Sequence, residues 1–260
     1  MAKILNRIIV TIVYLFLLAP IIAVVIISFN DSKSLAIEFG APSFQWYQSI
    51  LENSELMDGA RVSLITAVIT AVVVLLLGVP VALAIARYEF PGKAAISGFF
   101  LSPLLVPGVV LGLGLLLVFQ PVGLVGTYPG IVLAHFGVTV PYVIRTTLSS
   151  LTTSDMRCEE AARVHGANSF TTFRRVTLPI IAPGILAGGV MAFIISFDEA
   201  VISLFVAGSG HTTLPVEMFR YLQYRSDPGL AALSAILIAL SVVIVFIVER
   251  AVGLRKVVNS

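Results

Sequence analysis

The sequence is poor in charge and nearly without cysteine. Charged side chains make up 12% of its 260 residues, against roughly 25% in soluble chains, which is too few to clothe a soluble domain of this size. One cysteine, Cys158, excludes a disulfide scaffold. A net charge of +2 lacks the basic excess that draws a protein to nucleic acid, so no nucleic-acid partner is expected. A G-x-x-x-x-G-K-S/T phosphate loop is missing as well, so energy from nucleotide hydrolysis would have to come from another chain. What the sequence does have is apolar residues, 58% of the total, with a mean hydropathy of +1.04. A disordered chain is excluded on the same numbers. Most of this chain is solvated by lipid.

A helix needs about 20 apolar residues to cross a bilayer, so the distance between charges is the useful measure. Residues 8–30, 62–86, 176–197 and 228–248 are uncharged runs, and each reads as one span. The uncharged run 94–144 is 51 residues long, which suits two spans with a turn near residues 120–130, where Pro121, Gly123, Gly126, Pro129 and Gly130 cluster. Strands with open edges leave backbone groups unpaired in hydrocarbon. The expectation is therefore an all-α polytopic membrane protein with six transmembrane helices.

Orientation follows from lysine and arginine. With the N-terminus inside, the cytoplasmic segments collect Lys3, Arg7, Arg87, Lys93, Arg145, Arg157, Arg163, Arg174, Arg175, Arg250, Arg255 and Lys256, and the other face keeps Lys33, Arg61, Arg220 and Arg225. Both termini are thus expected in the cytoplasm. The first apolar run is longer than the usual 7–15 residues of a signal peptide, and no A-x-A-like cleavage site follows it before Asp31, so it reads as a retained helix. Residues 1–61 form the first span and an external loop, in which Ser43 is placed to cap a short helix with Phe44, Tyr47, Ile50 and Leu51 on one side and the only tryptophan, Trp46, within it. That helix reads as an interfacial anchor. Residues 62–252 hold the remaining spans.

Between the fourth and fifth spans the chain leaves the membrane, from Leu151 to Pro179. Two short helical pieces meet at Gly166, a residue that tolerates positive φ. Asn168 or Ser169 is placed to cap the second piece, Phe170, Phe173 and Val176 recur at helical spacing, and Pro179 opens the next span where a missing N–H costs little. The plain reading is a folded connector. Arg163, Arg174 and Arg175, mixed with acidic residues rather than massed as a lipid-binding patch, favour a surface that docks a protein. Glu160-Ala161-Ala162, then Gly166, nine intervening residues and Val176-x-Leu178-Pro179 resemble the EAA loop of ABC-transporter permease subunits, with valine where that family usually has isoleucine. The resemblance runs from the Gln45-Trp46-Tyr47 loop onward. It implies that residues 159–179 form a cytoplasmic coupling helix between helices 4 and 5 that sits in a groove of an ATPase dimer. Glu160, Ala161, Ala162 and Gly166 would be the contact and hinge positions, and Leu178 and Pro179 would join the loop to span five. It also implies a second permease subunit, like or unlike, a periplasmic or extracellular solute-binding protein, and a bacterial inner membrane.

Asp198 and Glu199 follow the uncharged fifth run and precede 17 more uncharged residues. At about 1.5 Å per residue from Pro183 they lie about 22 Å along the span, in the outer half of the bilayer. Charge near the membrane centre costs about 2.5–3.5 kcal/mol on insertion scales and marks transport pathways by default. Neighbours on a helix diverge by about 100°, so one of the two is expected to face an aqueous route. Two carboxylates favour a cationic solute. The run Ser196-Phe197-Asp198-Glu199-Ala200-Val201-Ile202, with Phe205-Val206-Ala207-Gly208 and Thr213-Leu214-Pro215, resembles the spermidine/putrescine branch of these permeases, a branch that also includes opine and phosphonate importers.

Other signals are plainer. Gly112-Leu113-Gly114 reads as close helix packing; Pro103, Pro107 and Pro141 read as kinks. His135, His165 and His211 make no metal-ligand spacing, and no cofactor is expected. Ser209 and His211 in a glycine-rich loop are poorly placed for a serine protease. The chain is read as a non-enzymatic permease subunit of an ATP-driven importer; an ion-coupled secondary carrier is the competing class, although such carriers commonly show internal repeats, and none is seen.

Overall fold

A computed structural model describes residues 2–37, 40–153, 157–208 and 210–252; Ser209, Arg255 and Lys256 lie outside them. The described residues are helical throughout, broken by turns and one isolated bridge between Gly208 and His211. The helices are α1 (Ala2–Ile27), α2 (Gln45–Leu51), α3 (Ser54–Arg87), α4 (Lys93–Leu101), α5 (Gly108–Phe119), α6 (Tyr128–Thr153), α7 (Arg157–Val164), α8 (Ser169–Thr172), α9 (Leu178–Asp198), α10 (Ser203–Val206), α11 (Leu214–Tyr224) and α12 (Gly229–Val252). Four stretches are long and apolar enough to cross a membrane: Lys3–Ile27, Ser54–Arg87, Tyr128–Thr153 and Ser169–Asp198. A fifth arises if Lys93–Leu105 and Gly108–Phe119 count as one span, bent by 108° at a short break. The break falls between Pro103 and Pro107, where the chain turns extended at Val106 and Pro107 opens α5. Pro141, by contrast, sits inside α6 without ending it. The run 228–248 falls on α12, whose described apolar part, Gly229–Ile244, is shorter than the other spans.

The chain forms two units. One comprises residues 1–57 and 217–260. In it α12 packs on α1 and α2. The buried face of α2 carries Trp46 and Ile50, while Phe44 and Leu51 stay exposed, so the expected stripe is rotated toward the tryptophan. Phe44, not Ser43, occupies the N-cap, and Ser43 Oγ accepts the Gln45 N–H at 3.3 Å. Trp46 Nε1 donates to the Asn30 carbonyl at 2.9 Å, which ties α2 to the loop after α1. Where α11 leads into α12, Asp227 Oδ1 accepts from the Tyr221 hydroxyl at 2.8 Å and from the Gly229 N–H at 2.9 Å. Burial, and next the Asp227 carboxylate, push the Tyr221 hydroxyl up to about 12, so the phenol stays a donor at neutral pH.

The second unit, residues 58–216, has its own core. Val74, Val79, Ala82 and Ile85 of α3 meet Val140, Val143 and Ile144 of α6 and Ala192 of α9. Small residues let α6 and α9 approach closely: a Cβ added at Gly188 would lie 2.5 Å from Thr146 Oγ1 and 3.1 Å from Val143 Cα, and one at Gly184 would lie 2.7 Å from the Thr146 carbonyl oxygen. The expected packing role holds for Gly112, where a Cβ would lie 2.6 Å from the Phe205 ring, but at Gly114 a Cβ would meet none of the described residues within 4 Å. Phe119, Ala134, Ile202 and Val206 form a second cluster. A turn at Gly126, φ 75°, donates its N–H to the Val206 carbonyl at 2.9 Å.

The residues entering α9 do not follow a single helical rhythm. Thr172, Thr177, Ile181, Gly184, Gly188, Ala192 and Ser196 are all buried. The steps between them are three or four residues except the first, which is five. A π turn, Phe173–Thr177, lies under that step.

Candidate functional site

The segment between α6 and α9 builds the first candidate site. Helix α7 ends in a Schellman turn: Ala167 N–H bonds the Ala162 carbonyl at 3.0 Å and Gly166 N–H bonds the Arg163 carbonyl at 2.9 Å. Gly166 has φ 85° with open space around the missing Cβ, so the position demands glycine for its backbone and not for room. Asn168 caps α8, its Oδ1 accepting the Thr171 N–H at 2.8 Å. Pro179 lies in the first turn of α9. Glu160, Ala161, Leu178 and Pro179 are exposed and Ala162 is half-buried. Arg163, Val164, Phe170, Arg174 and Arg175 are exposed as well, whereas Phe173 and Val176 are partly covered. The result is a short helix carrying an unsheltered acidic and apolar face, set off by a sharp turn. Cys158 beside it is exposed.

The sequence gives no hint of what holds α7 to the spans. Its one buried residue is Glu159, at 9% exposure. Glu159 Oε1 accepts from the Arg87 guanidinium at the end of α3 and from the Thr177 hydroxyl at 2.9 Å. Partners 72 and 18 residues away leave no periodic trace, and the neighbouring Glu160 carries the recognisable motif.

The second candidate site is the end of α9. Asp198 is its last residue and is exposed; Glu199 follows with an extended ψ of 99° and is half-buried. Glu199 Oε1 accepts the Ile202 N–H at 3.0 Å, so it satisfies a backbone donor freed by the break. The two carboxylates therefore have different surroundings, and only Asp198 stands uncommitted toward the outside of this chain. Across the same break lies His135, fully buried on α6. Its Nδ1 is 2.9 Å from Ser196 Oγ on α9 and its Nε2 is 2.9 Å from Ser203 Oγ on α10. In a neutral ring one nitrogen donates and the other accepts, which matches a hydroxyl on each side. His135 joins the two ends of the broken segment. Ser-x-x-x-x-x-x-Ser flanking an acidic pair, with a histidine in a preceding apolar run, was the available signal.

Among the described residues no three His, Cys, Asp or Glu side chains gather as a metal site. His211 instead donates from Nδ1 to the Gly126 carbonyl at 3.0 Å and packs on the Tyr128 ring at 4.2 Å.

Residues 75–257 match the family of binding-protein-dependent transport system inner membrane components. The chain is 34% identical over 235 residues to the spermidine/putrescine transport system permease protein PotC of Escherichia coli (strain K12), covering 90% of this chain and 89% of that one. It is 34% identical over 241 residues to the putrescine transport system permease protein PotI of the same organism, covering 90% and 85%. Among solved structures, a bacterial alginate ABC transporter in complex with alginate pentasaccharide-bound periplasmic protein contains a chain of the same fold, with a TM-score of 0.73 at 16% identity over 95% of this chain and 93% of that one.

Proposed function

The chain belongs to the binding-protein-dependent transport system inner membrane component family, and from that premise we propose that it lines the pathway of an importer for small cationic amines of the spermidine and putrescine type. It is a permease component of a binding-protein-dependent ABC importer. The substrate assignment draws on the names of the two polyamine relatives and on one observation in this chain: an exposed carboxylate, Asp198, ends an otherwise uncharged membrane helix. A carboxylate at such a position attracts an ammonium group and, being wet, releases it. In this reading the chain crosses a bacterial inner membrane six times, with α12 as the last crossing and both termini in the cytoplasm. ATP is hydrolysed by a separate ATPase dimer, since the sequence has no phosphate loop. A second permease subunit completes the pathway, and a solute-binding protein delivers cargo from outside.

Helix α7 is the element that meets the ATPase. Its exposed Glu160, Ala161 and Val164, with Gly166 as the fixed turn beyond them, form a small projecting surface suited to a groove. Glu160→Lys reverses a charge on that surface without touching Glu159 and its bonds. Uptake in vesicles supplied with ATP is expected to fall by tenfold or more, on the scale of about 1–3 kcal/mol for a disrupted contact to a charged group, with membrane insertion unchanged. Full uptake by this variant would remove α7 as the coupling element. Uptake by the unaltered assembly driven by a proton gradient without ATP would remove the importer reading itself.

A further inference from the structure

We propose that Arg87, Glu159 and Thr177 form the joint through which movement of α7 reaches the membrane helices, so that Glu159 is a positioning residue for transport distinct from the ATPase-facing Glu160. This rests on the coupling role given to α7 above.

Helix α7 has eight residues, and Glu159 is the one that is buried. Among the described residues of α7 no apolar side chain is fully buried, and Val164, the last residue of the helix, is 86% exposed. The side chain that does enter the protein is a carboxylate, and it meets a guanidinium and a hydroxyl at side-chain exposures of 11% for Glu159 and 15% for Arg87. Breaking such a contact strands a charge in poorly solvated surroundings, which is far costlier than sliding two apolar surfaces past each other. The contact is also directional, so it resists shear as well as separation.

What Glu159 holds gives the joint its reach. Arg87 is the last residue of α3, a 34-residue helix that is about 51 Å long, well beyond the roughly 30 Å of hydrocarbon. The guanidinium also suits the negative end of that helix. Two and five residues before it, Ile85 and Ala82 enter the core shared with α6 and α9. Thr177 is the N-cap of α9 and stands at the end of the π turn; 21 residues further along, α9 ends at Asp198. One carboxylate thus ties the short exposed helix to the ends of two spans. A pull on α7 is delivered to α3 and α9 together, and α9 carries it toward the acidic break.

The test uses the complete assembly, with its ATPase dimer, second permease subunit and binding protein, reconstituted in liposomes. The readout is putrescine taken up per ATP hydrolysed. Glu159→Gln keeps the size of the side chain and removes its charge. Uptake per ATP is expected to fall about tenfold, within the usual 5–150-fold range of coupling between sites, while the subunits still co-purify and ATP is still hydrolysed. The exchanged pair Arg87→Glu with Glu159→Arg is expected to recover part of the loss, which a merely structural contribution of either residue alone would not give. Thr177→Val removes one hydroxyl and is expected to lower the ratio by a smaller factor; it decides the matter if Glu159→Gln does not assemble. An unchanged ratio in Glu159→Gln, or in Thr177→Val where that variant decides, overturns the joint. So does loss of the ATPase from an otherwise folded Glu159→Gln permease, which would make Glu159 a docking residue. These failures leave the importer reading standing, because that reading fails only if the unaltered assembly transports without ATP.

Discussion

Gly188→Leu is expected to abolish the folded protein. Helices α6 and α9 pack closely in the second unit, and Gly188 sits where backbone meets backbone: a Cβ there would be 3.1 Å from Val143 Cα. A flexible side chain can swing away from an intruder, but an α-carbon on a packed helix cannot, so the two helices must separate. Separation opens Val143, Ile144 and Ala192 in the core at the same time. A single added methyl in a close-packed interior costs about 1–3 kcal/mol, and Gly188→Ala is expected to lower the melting temperature accordingly. A leucine adds three further carbons at the same place and exceeds what a domain of ordinary stability tolerates. Gly114→Ala is the control, since its added carbon would meet none of the described residues within 4 Å. Thermal melting of the purified permease distinguishes them. Equal melting temperatures for Gly188→Leu, Gly114→Ala and the unaltered chain would show that the close approach does not support the fold.

The second large effect concerns the acidic pair. Asp198→Asn is expected to reduce uptake of putrescine by roughly 10–100-fold, the equivalent of about 1.5–3 kcal/mol for a hydrogen bond to a charged group. A neutral analogue of similar length should lose much less. Glu199→Gln is expected to stay close to the unaltered rate, because the amide oxygen still accepts the Ile202 N–H that Glu199 Oε1 accepts at 3.0 Å. The two conservative changes are thus separated by geometry although the residues are neighbours. Uptake measured with radiolabelled amine in vesicles gives the result directly. Equal losses for charged and neutral solutes, or a larger loss in Glu199→Gln, would assign the pair to structure instead of the pathway.

Much of this could be read before any coordinates. The uncharged runs mark the apolar helices because lipid admits few charges, and the turn near residues 120–130 lies between α5 and α6, where glycine and proline gather. Gly166, Asn168 and Pro179 announce their turns through local backbone chemistry, which is visible at short range. The bent pair α4 and α5 was harder, since Pro103 and Pro107 signal a kink but not one of 108°. Glu159 and His135 were missed for a common reason. Each acts through partners 18 to 72 residues away, on helices whose mutual placement no single-chain periodicity encodes. Phe170, Phe173 and Val176 recur at helical spacing, but local spacing does not reveal that the chain passes through a π turn over Phe173–Thr177 or that Phe170 is exposed.

Across residues 173–177 the buried stripe advances by five positions instead of three or four, so the chain carries one surplus letter there, absorbed as a local swelling that leaves the flanking faces in phase. The membrane crossing that follows keeps its register regardless. Thr172 therefore faces inward together with Gly184 and Gly188, whereas a one-letter change a few positions later would rotate the whole inner face by about 100°. The lip of α9 thus takes up the odd length of the interval that follows Gly166 without disturbing the face that interlocks with α6.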